Sequence, residues 1–226
     1  MKKILILLSA VLVCAGPSAF AQVERAVSGF NKLNITGPFT VYLTIGSSEV
    51  VTIDADEADL DNIKTEVIAG SLNISVDDLK GKKEVVIYVF AKELKAVSLT
   101  GSGKLQGKTL LKSPSLEILL TGSGEMSLDL GVNDLMIGLT GSGNLTLTGQ
   151  AQELKANLNG SGDINADKLH VMKGEVNIAG SGNAYVNVKG DLSGSIKGSG
   201  DIVFSGTPTI KNIKMKGSGK MRPAAQ

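Results

Sequence analysis

The chain has one cysteine, one histidine and no tryptophan among its 226 residues, and aromatic side chains make up only 4% of it. The cysteine, Cys14, directly follows an apolar run at residues 4–13, which Lys2 and Lys3 precede and the small-x-small triplet Ala19-Phe20-Ala21 follows. This pattern reads as a secretory signal peptide over residues 1–21, with cleavage after Ala21. The run is too short to span a membrane comfortably. Val11-Leu12-Val13 lacks the small residues that lipoprotein processing prefers, so Cys14 is expected to leave with the leader. The mature chain then has no thiol, no disulfide and no sulfur ligand for a metal. Any Ser-His-Asp or Cys-His arrangement would have to use His170. That residue stands between Leu169 and Val171 and reads as an outward side chain at the start of a strand.

An excess of one charge is also missing. Loss of Lys2 and Lys3 leaves 21 basic residues against 22 acidic ones. No global charge therefore draws the chain to nucleic acid or to a membrane surface. No later stretch reads as transmembrane, and no C-terminal run of alternating strands reads as an outer-membrane barrel. Twenty-eight glycines with so few aromatics point to an all-β repeat rather than a globular α/β enzyme.

What the chain does have is a repeat. Gly-Ser-Gly occurs seven times, starting at Gly101, Gly122, Gly141, Gly160, Gly180, Gly198 and Gly217, in steps of 21, 19, 19, 20, 18 and 19 residues. A fixed period near 19 is the mark of stacked turns. Two residues before each copy stand Leu99, Leu120, Leu139, Leu158, Ile178, Ile196 and Met215, and two after it Leu105, Met126, Leu145, Ile164, Ala184, Ile202 and Met221. Polar residues alternate with them, as in strands buried on one face. Carried through the tripeptide, the alternation turns both glycines inward. The second glycines are Gly103, Gly124, Gly143, Gly162, Gly182, Gly200 and Gly219. Glycine at such positions permits a sharp bend and a positive φ. The serines from Ser102 to Ser218 then form one outward column, with neighbours ~4.8 Å apart.

Each rung is expected to hold a strand, a Gly-Ser-Gly corner, a second strand and a looser turn, the last at residues 131–134, 149–152 and 190–191. The fold is a right-handed parallel β-helix, a solenoid with a period of about 19 residues. Its inner columns of Leu and Ile contribute roughly 1.5–3 kcal/mol per buried side chain. The first half departs from the period. Residues 41–45 and 50–54 read as a hairpin, 58–63 as a helical turn, 64–68 and 72–76 as a second hairpin, and 85–90 as an apolar strand. Residues 22–93 are thus expected to be a β-rich entry region that caps the solenoid of residues 94–226 and is continuous with it. At the far end Pro208, Pro223 and the lysines 211, 214, 216 and 220 would blunt the last edge.

The L-x-G-S-G-x-L rungs, the segment FNKLNITG at residues 30–37 with Phe39 to Leu43, and Phe204-Ser205-Gly206-Thr207-Pro208 are together similar to one family. Over residues 29–220 or so the chain resembles the bacterial family named putative auto-transporter adhesin, head GIN domain. That resemblance implies a right-handed parallel β-helix with an N-terminal β extension and a role in surface adhesion. It implies no catalytic residues.

Candidate chemistry is sparse. The residue after the tripeptide forms a polar ladder over four adjacent rungs, Asn144, Asp163, Asn183 and Asp201, which reads as a solvated column or, less directly, as oxygen ligands for calcium. Phosphate-cradling loops need a helix after the glycines, and here a strand follows. A polysaccharide lyase or hydrolase on the same scaffold would need paired carboxylates in a cleft. Asp163, Asp167, Asp201 and Glu175 are the available acids, with Tyr185 the one aromatic near them. The expected function is an exported, non-catalytic cell-envelope protein, an adhesin or structural module without a cofactor. A carbohydrate-active enzyme is the alternative. The expected partners are an envelope glycan or a surface protein, not nucleic acid, and the expected location is the periplasm, the outer-membrane surface or the medium. A homo-oligomer stays open.

Overall fold

The computed structural model describes residues 21–81 and 84–225. The leader expected at residues 1–21, with Cys14, lies outside them apart from Ala21. In chain order the elements are β1 (Ala21–Ala26), β2 (Lys32–Thr36), β3 (Thr40–Ile45), β4 (Val50–Ala55), the short helix α1 (Glu57–Leu60), β5 (Ile63–Ile68), β6 (Ser71–Val76), β7 (Val86–Ala91), β8 (Ala96–Gly101) and β9 (Lys104–Gly107). Then follow β10 (Leu111–Gly122), β11 (Glu125–Gly141), β12 (Asn144–Gly160), β13 (Asp163–Gly180), β14 (Ala184–Gly198), β15 (Ile202–Gly206), β16 (Thr209–Gly217) and β17 (Met221–Pro223). All seventeen strands belong to one hydrogen-bonded sheet, coiled into a parallel β-solenoid.

The repeat half is parallel throughout, and its corners are in register. Gly122 stands on Gly141, Gly141 on Gly160, Gly160 on Gly180, Gly180 on Gly198 and Gly198 on Gly217. Leu120, Leu139, Leu158, Ile178 and Ile196 stack beneath them as one buried column.

The looser turns do not occur. Residues 131–134 lie within β11, 149–152 within β12 and 190–191 within β14, and these strands run for 15 to 17 residues. The rung bends instead where the alternation skips a beat. Asn133 and Asp134 both face solvent, as do Gln152 with Glu153 and Met172 with Lys173. When successive rungs bend at the same place, backbone groups still find partners in the rung beside them, so no separate turn is needed.

The entry half is threaded differently from its sequence order. β2 lies between β6 and β8, with Leu33 paired to both Leu72 and Val97. β3 lies between β7 and β9. The rung made by β2 and β3 is therefore second in space, under β8 and β9, and the later β6 and β7 form the rung beneath it. The expected hairpin of residues 41–45 with 50–54 is not formed. Both strands exist, but β7 inserts between them, parallel to β3 and antiparallel to β4. The second hairpin is present: β5 and β6 pair antiparallel across Ala69 (φ 49°) and Gly70 (φ 76°), the two positive angles that a tight type I′ turn requires.

β5 on one face, and β4 with β1 on another, close the N-terminal end with antiparallel strands. Arg25 of β1 reaches across that end, donating to the carbonyl of Leu60 at 2.7 Å, the hydroxyl of Thr65 at 3.0 Å and the carbonyl of Ile63. Asp59, fully buried, accepts the backbone N–H of Lys80 at 2.6 Å and of Gly81 at 3.0 Å. Among the described residues the C-terminal end has no comparable cover: β16 pairs there with β14 alone, and its apolar residues Ile210 and Met215 are 44% and 58% exposed.

Candidate functional site

In the central rungs, from β10 to β14, the strands are interrupted at the Gly-Ser-Gly corners. All seven first glycines have positive φ, between 111° and 136°. The second glycines are buried and the serines exposed, but the first glycines, which the alternation also turned inward, are half-buried, and Gly217 is exposed. The obstacle to a larger residue is not the interior, however, but the next rung along the axis. A β-carbon on Gly143 would come 2.5 Å from the carbonyl oxygen of Gly124. The same carbonyls carry the corner: that of Gly122 accepts the N–H of both Ser142 (2.9 Å) and Gly143 (3.0 Å), and that of Gly141 serves Ser161 and Gly162 likewise. The tripeptides are joints of the scaffold, and their hydroxyls meet no partner among the described residues.

Three of the four ladder residues form one hydrogen-bonded chain. Asp163 Oδ1 accepts the backbone N–H of Asn183 at 2.8 Å and its side-chain amide at 3.0 Å. Asn183 Oδ1 accepts the N–H of Asp201 at 3.0 Å. Asp201 accepts the N–H of Lys220 at 2.9 Å and the guanidinium of Arg222 at 3.1 Å. These two contacts, the backbone one first, hold the Asp201 carboxyl below its usual range. Asn144 is in register but outside the chain, because the N–H of Asp163 goes to the Gly143 carbonyl at 3.2 Å. The oxygens that could have been ligands are thus backbone acceptors that stitch neighbouring rungs. Among the described residues no group of three or more His, Cys, Asp and Glu is placed to hold a metal.

The acids considered for catalysis do not gather in a cleft. Asp163 and Asp201 stand two rungs apart with Asn183 bonded to both. Asp167 is exposed at a bend, where its carbonyl accepts from Asn187, and Glu175 lies on another face, bonded to Asn177. His170 is not at a strand start but within β13, exposed, 3.3 Å from the amide of Asn187.

One feature went unread in the sequence. The chain has three tyrosines, and all three lie in a single outward column. Tyr88 pairs with Tyr42, Tyr42 with Gln106, Gln106 with Ser127, Ser127 with Thr146, Thr146 with Asn165, and Asn165 with Tyr185. The Tyr42 and Tyr88 rings are 5.5 Å apart, and the Lys108 ammonium sits 4.1 Å over Tyr42 while donating to Gln106 at 2.8 Å. Aromatic rings at both ends enclose a run of amides and hydroxyls. Five strand spacings of ~4.8 Å separate Tyr42 from Tyr185, about 24 Å. Over most of this stretch runs a shallow groove of about 750 Å³, lined by Tyr42, Gln106, Ser127, Asn144, Thr146 and Asn165. On its rim Lys104 and Glu125 pair at 2.7 Å. The signal available was position: Tyr185 is third after Gly182, as Gln106 is after Gly103.

Residues 29–208 match the family described as putative auto-transporter adhesin, head GIN domain. No curated relative matches the chain. Among solved structures, a putative adhesin from Bacteroides fragilis NCTC 9343 is similar at 23% identity and a TM-score of 0.86, covering 92% of this chain and 98% of that one. A putative adhesin from Parabacteroides merdae ATCC 43184 is similar at 20% identity and a TM-score of 0.75 over 93% and 98%. A putative lipid binding protein from Parabacteroides distasonis ATCC 8503 is similar at 23% identity and a TM-score of 0.71 over 93% and 98%. At these identities the likeness is one of fold. No helix among the described residues is long and apolar enough to cross a membrane.

Proposed function

Since the chain belongs to this adhesin-head family, we propose that it is an exported, non-catalytic cell-envelope adhesin that binds a glycan along the tyrosine-bounded face. The observation that carries this reading is the placement of all three tyrosines on one column around a stripe of amides and hydroxyls. A sugar ring presents an apolar face and an edge of hydroxyls. Aromatic rings suit the first, and Gln106, Ser127, Thr146 and Asn165 offer both donors and acceptors for the second. The groove is shallow and open, as suits a chain lying along the axis rather than a single sugar held in a pocket. The Lys104–Glu125 pair leaves little net charge on its rim, which favours a neutral or weakly charged polymer.

The test is a glycan array followed by calorimetry on wild type, Tyr42→Ala and Tyr185→Ala. The reading expects binding to an extended glycan, weakened at least tenfold by either substitution, with unchanged melting temperature. Failure to bind any glycan, or binding insensitive to both substitutions, overturns it. Binding to lipid vesicles without glycan binding would replace the glycan with a lipid surface.

A further inference from the structure

The two ends of the solenoid are complementary, and we propose that the protein associates head to tail, with β16 of one copy docking on β5 of the next. These two strands are opposite edges of one face. The order across it is β5, β6, β2, β8, β10, β11, β12, β13, β14, β16. Joining β16 to β5 therefore continues the same sheet from one molecule into the next.

Both edges present apolar side chains. Val67 and Ile68 on β5 are 36% and 59% exposed, and Ile210 and Met215 on β16 are 44% and 58% exposed. Half of the eight large exposed apolar residues among those described lie on these two strands, which is not the scatter expected of an inert surface. Met215 stands in register on buried Ile196, at the open end of an inner column. Another rung would cover it.

Charge selects which end covers it. Besides the buried Asp59, residues 54–66 carry five acidic side chains (Asp54, Asp56, Glu57, Asp61, Glu66) and one basic, Lys64. After Asp201 the chain carries Lys211, Lys214, Lys216, Lys220 and Arg222 and no acidic residue. Lys211 and Arg222 are paired within the chain, to Asp191 and Asp201. Lys214 and Lys216 have no ion pair among the described residues. Two C-terminal ends facing each other would bring these lysines together, whereas an N-terminal end offers them Glu66 and Asp61. Edge lysines and the bulge at Asn212 (φ 46°), where β16 carries an extra residue against β14, are a defence against unspecific strand pairing. An acidic edge of matching shape is the one partner that such a defence admits. The contact is heterologous, so it does not close at two copies.

Light scattering and sedimentation of the chain, expressed from its full sequence and recovered after export, test this directly. The mass is expected to rise with concentration past the dimer and to fall as salt shortens the screening length from about 30 Å toward 3 Å. The tail-blocked variant Lys214→Glu/Lys216→Glu and the head-blocked variant Glu66→Lys/Ile68→Lys should each be monomeric, with wild-type circular dichroism. Mixed together, the altered acidic tail of one meets the altered basic head of the other, which should restore association at least tenfold over either alone. A wild type that stays monomeric at low salt overturns the proposal. So does one that stops at two copies, or a mixture that stays monomeric.

Discussion

A β-carbon on Gly141 would overlap the carbonyl oxygen of Gly122 one rung below, and the φ of Gly141 is 118°. Gly141→Val should therefore cost at least ~1–3 kcal/mol from backbone strain alone, and more from the displaced ladder. Gly131→Ala is the control. Its added carbon meets nothing nearer than the Lys112 side chain at 3.6 Å, and its φ is not positive. A melting temperature lowered by Gly141→Val and held by Gly131→Ala is the expected result, read by thermal circular dichroism.

Position along the stack should set the cost of a cavity. Leu139 is 1% exposed between Leu120 and Leu158, so Leu139→Ala should lose about 2–5 kcal/mol. Met215→Ala, in the same column but at the open end, should change the stability of the monomer by no more than ~0.5–1 kcal/mol. Urea titrations of the two variants below the association range make the comparison.

Asp201 gives the C-terminal rungs an acid limit. Its folded carboxyl titrates below the ordinary value, which for an unfolded chain is about 3.9. The group contributes its stability in full above that value and loses it as pH falls through the lower folded value. Asp201→Asn keeps an acceptor for the Lys220 N–H but not the charge facing Arg222. The stability gap between wild type and variant should therefore be constant above about pH 5 and shrink below about pH 4, in melts run across a pH series.

Arg25 ties three elements at the N-terminal end, and burial pulls its pKa down. Arg25→Ala should leave the Leu60 and Ile63 carbonyls without that donor. Hydrogen exchange is expected to quicken in β1 and β5 and to keep its wild-type rate in β12 and β13, because a solenoid transmits stability mainly between neighbours. Equal quickening throughout would show that the cap holds the whole stack.

The repeat half was legible because each rung restates its own register: Gly-Ser-Gly marks the corner, and the residues two before and two after it mark the buried columns. The wide bends were not, because glycines such as Gly131 and Gly190 look like turns locally while the neighbouring rungs keep the strand paired. The entry half failed where pairing is non-local. β3 and β4 are joined by four residues and alternate well, yet the strand between them comes from residues 86–91. An eighth corner at Gly37-Pro38-Phe39, directly under Gly101 and Gly103, lacks the signature because buried Phe39 replaces the second glycine. Without that corner the position of Tyr42 cannot be lined up with Gln106 and Tyr185, so the tyrosine column was hidden until the rungs were stacked.

The displaced rung of β2 and β3 has a consequence for how the protein is made. A ribosome delivers residues 32–45 first, but they are flanked on both sides by strands that arrive later, β6 and β7 below and β8 and β9 above. The entry half is thus held by pairings between strands far apart in the sequence, the kind of contact that slows folding. Everything after residue 107 lands on an edge that already exists, one rung at a time. Growth beyond the entry half is accordingly templated, each rung laid on the one before it, and among the described residues the advancing edge is still open at β16, where Ile210 and Met215 stay exposed.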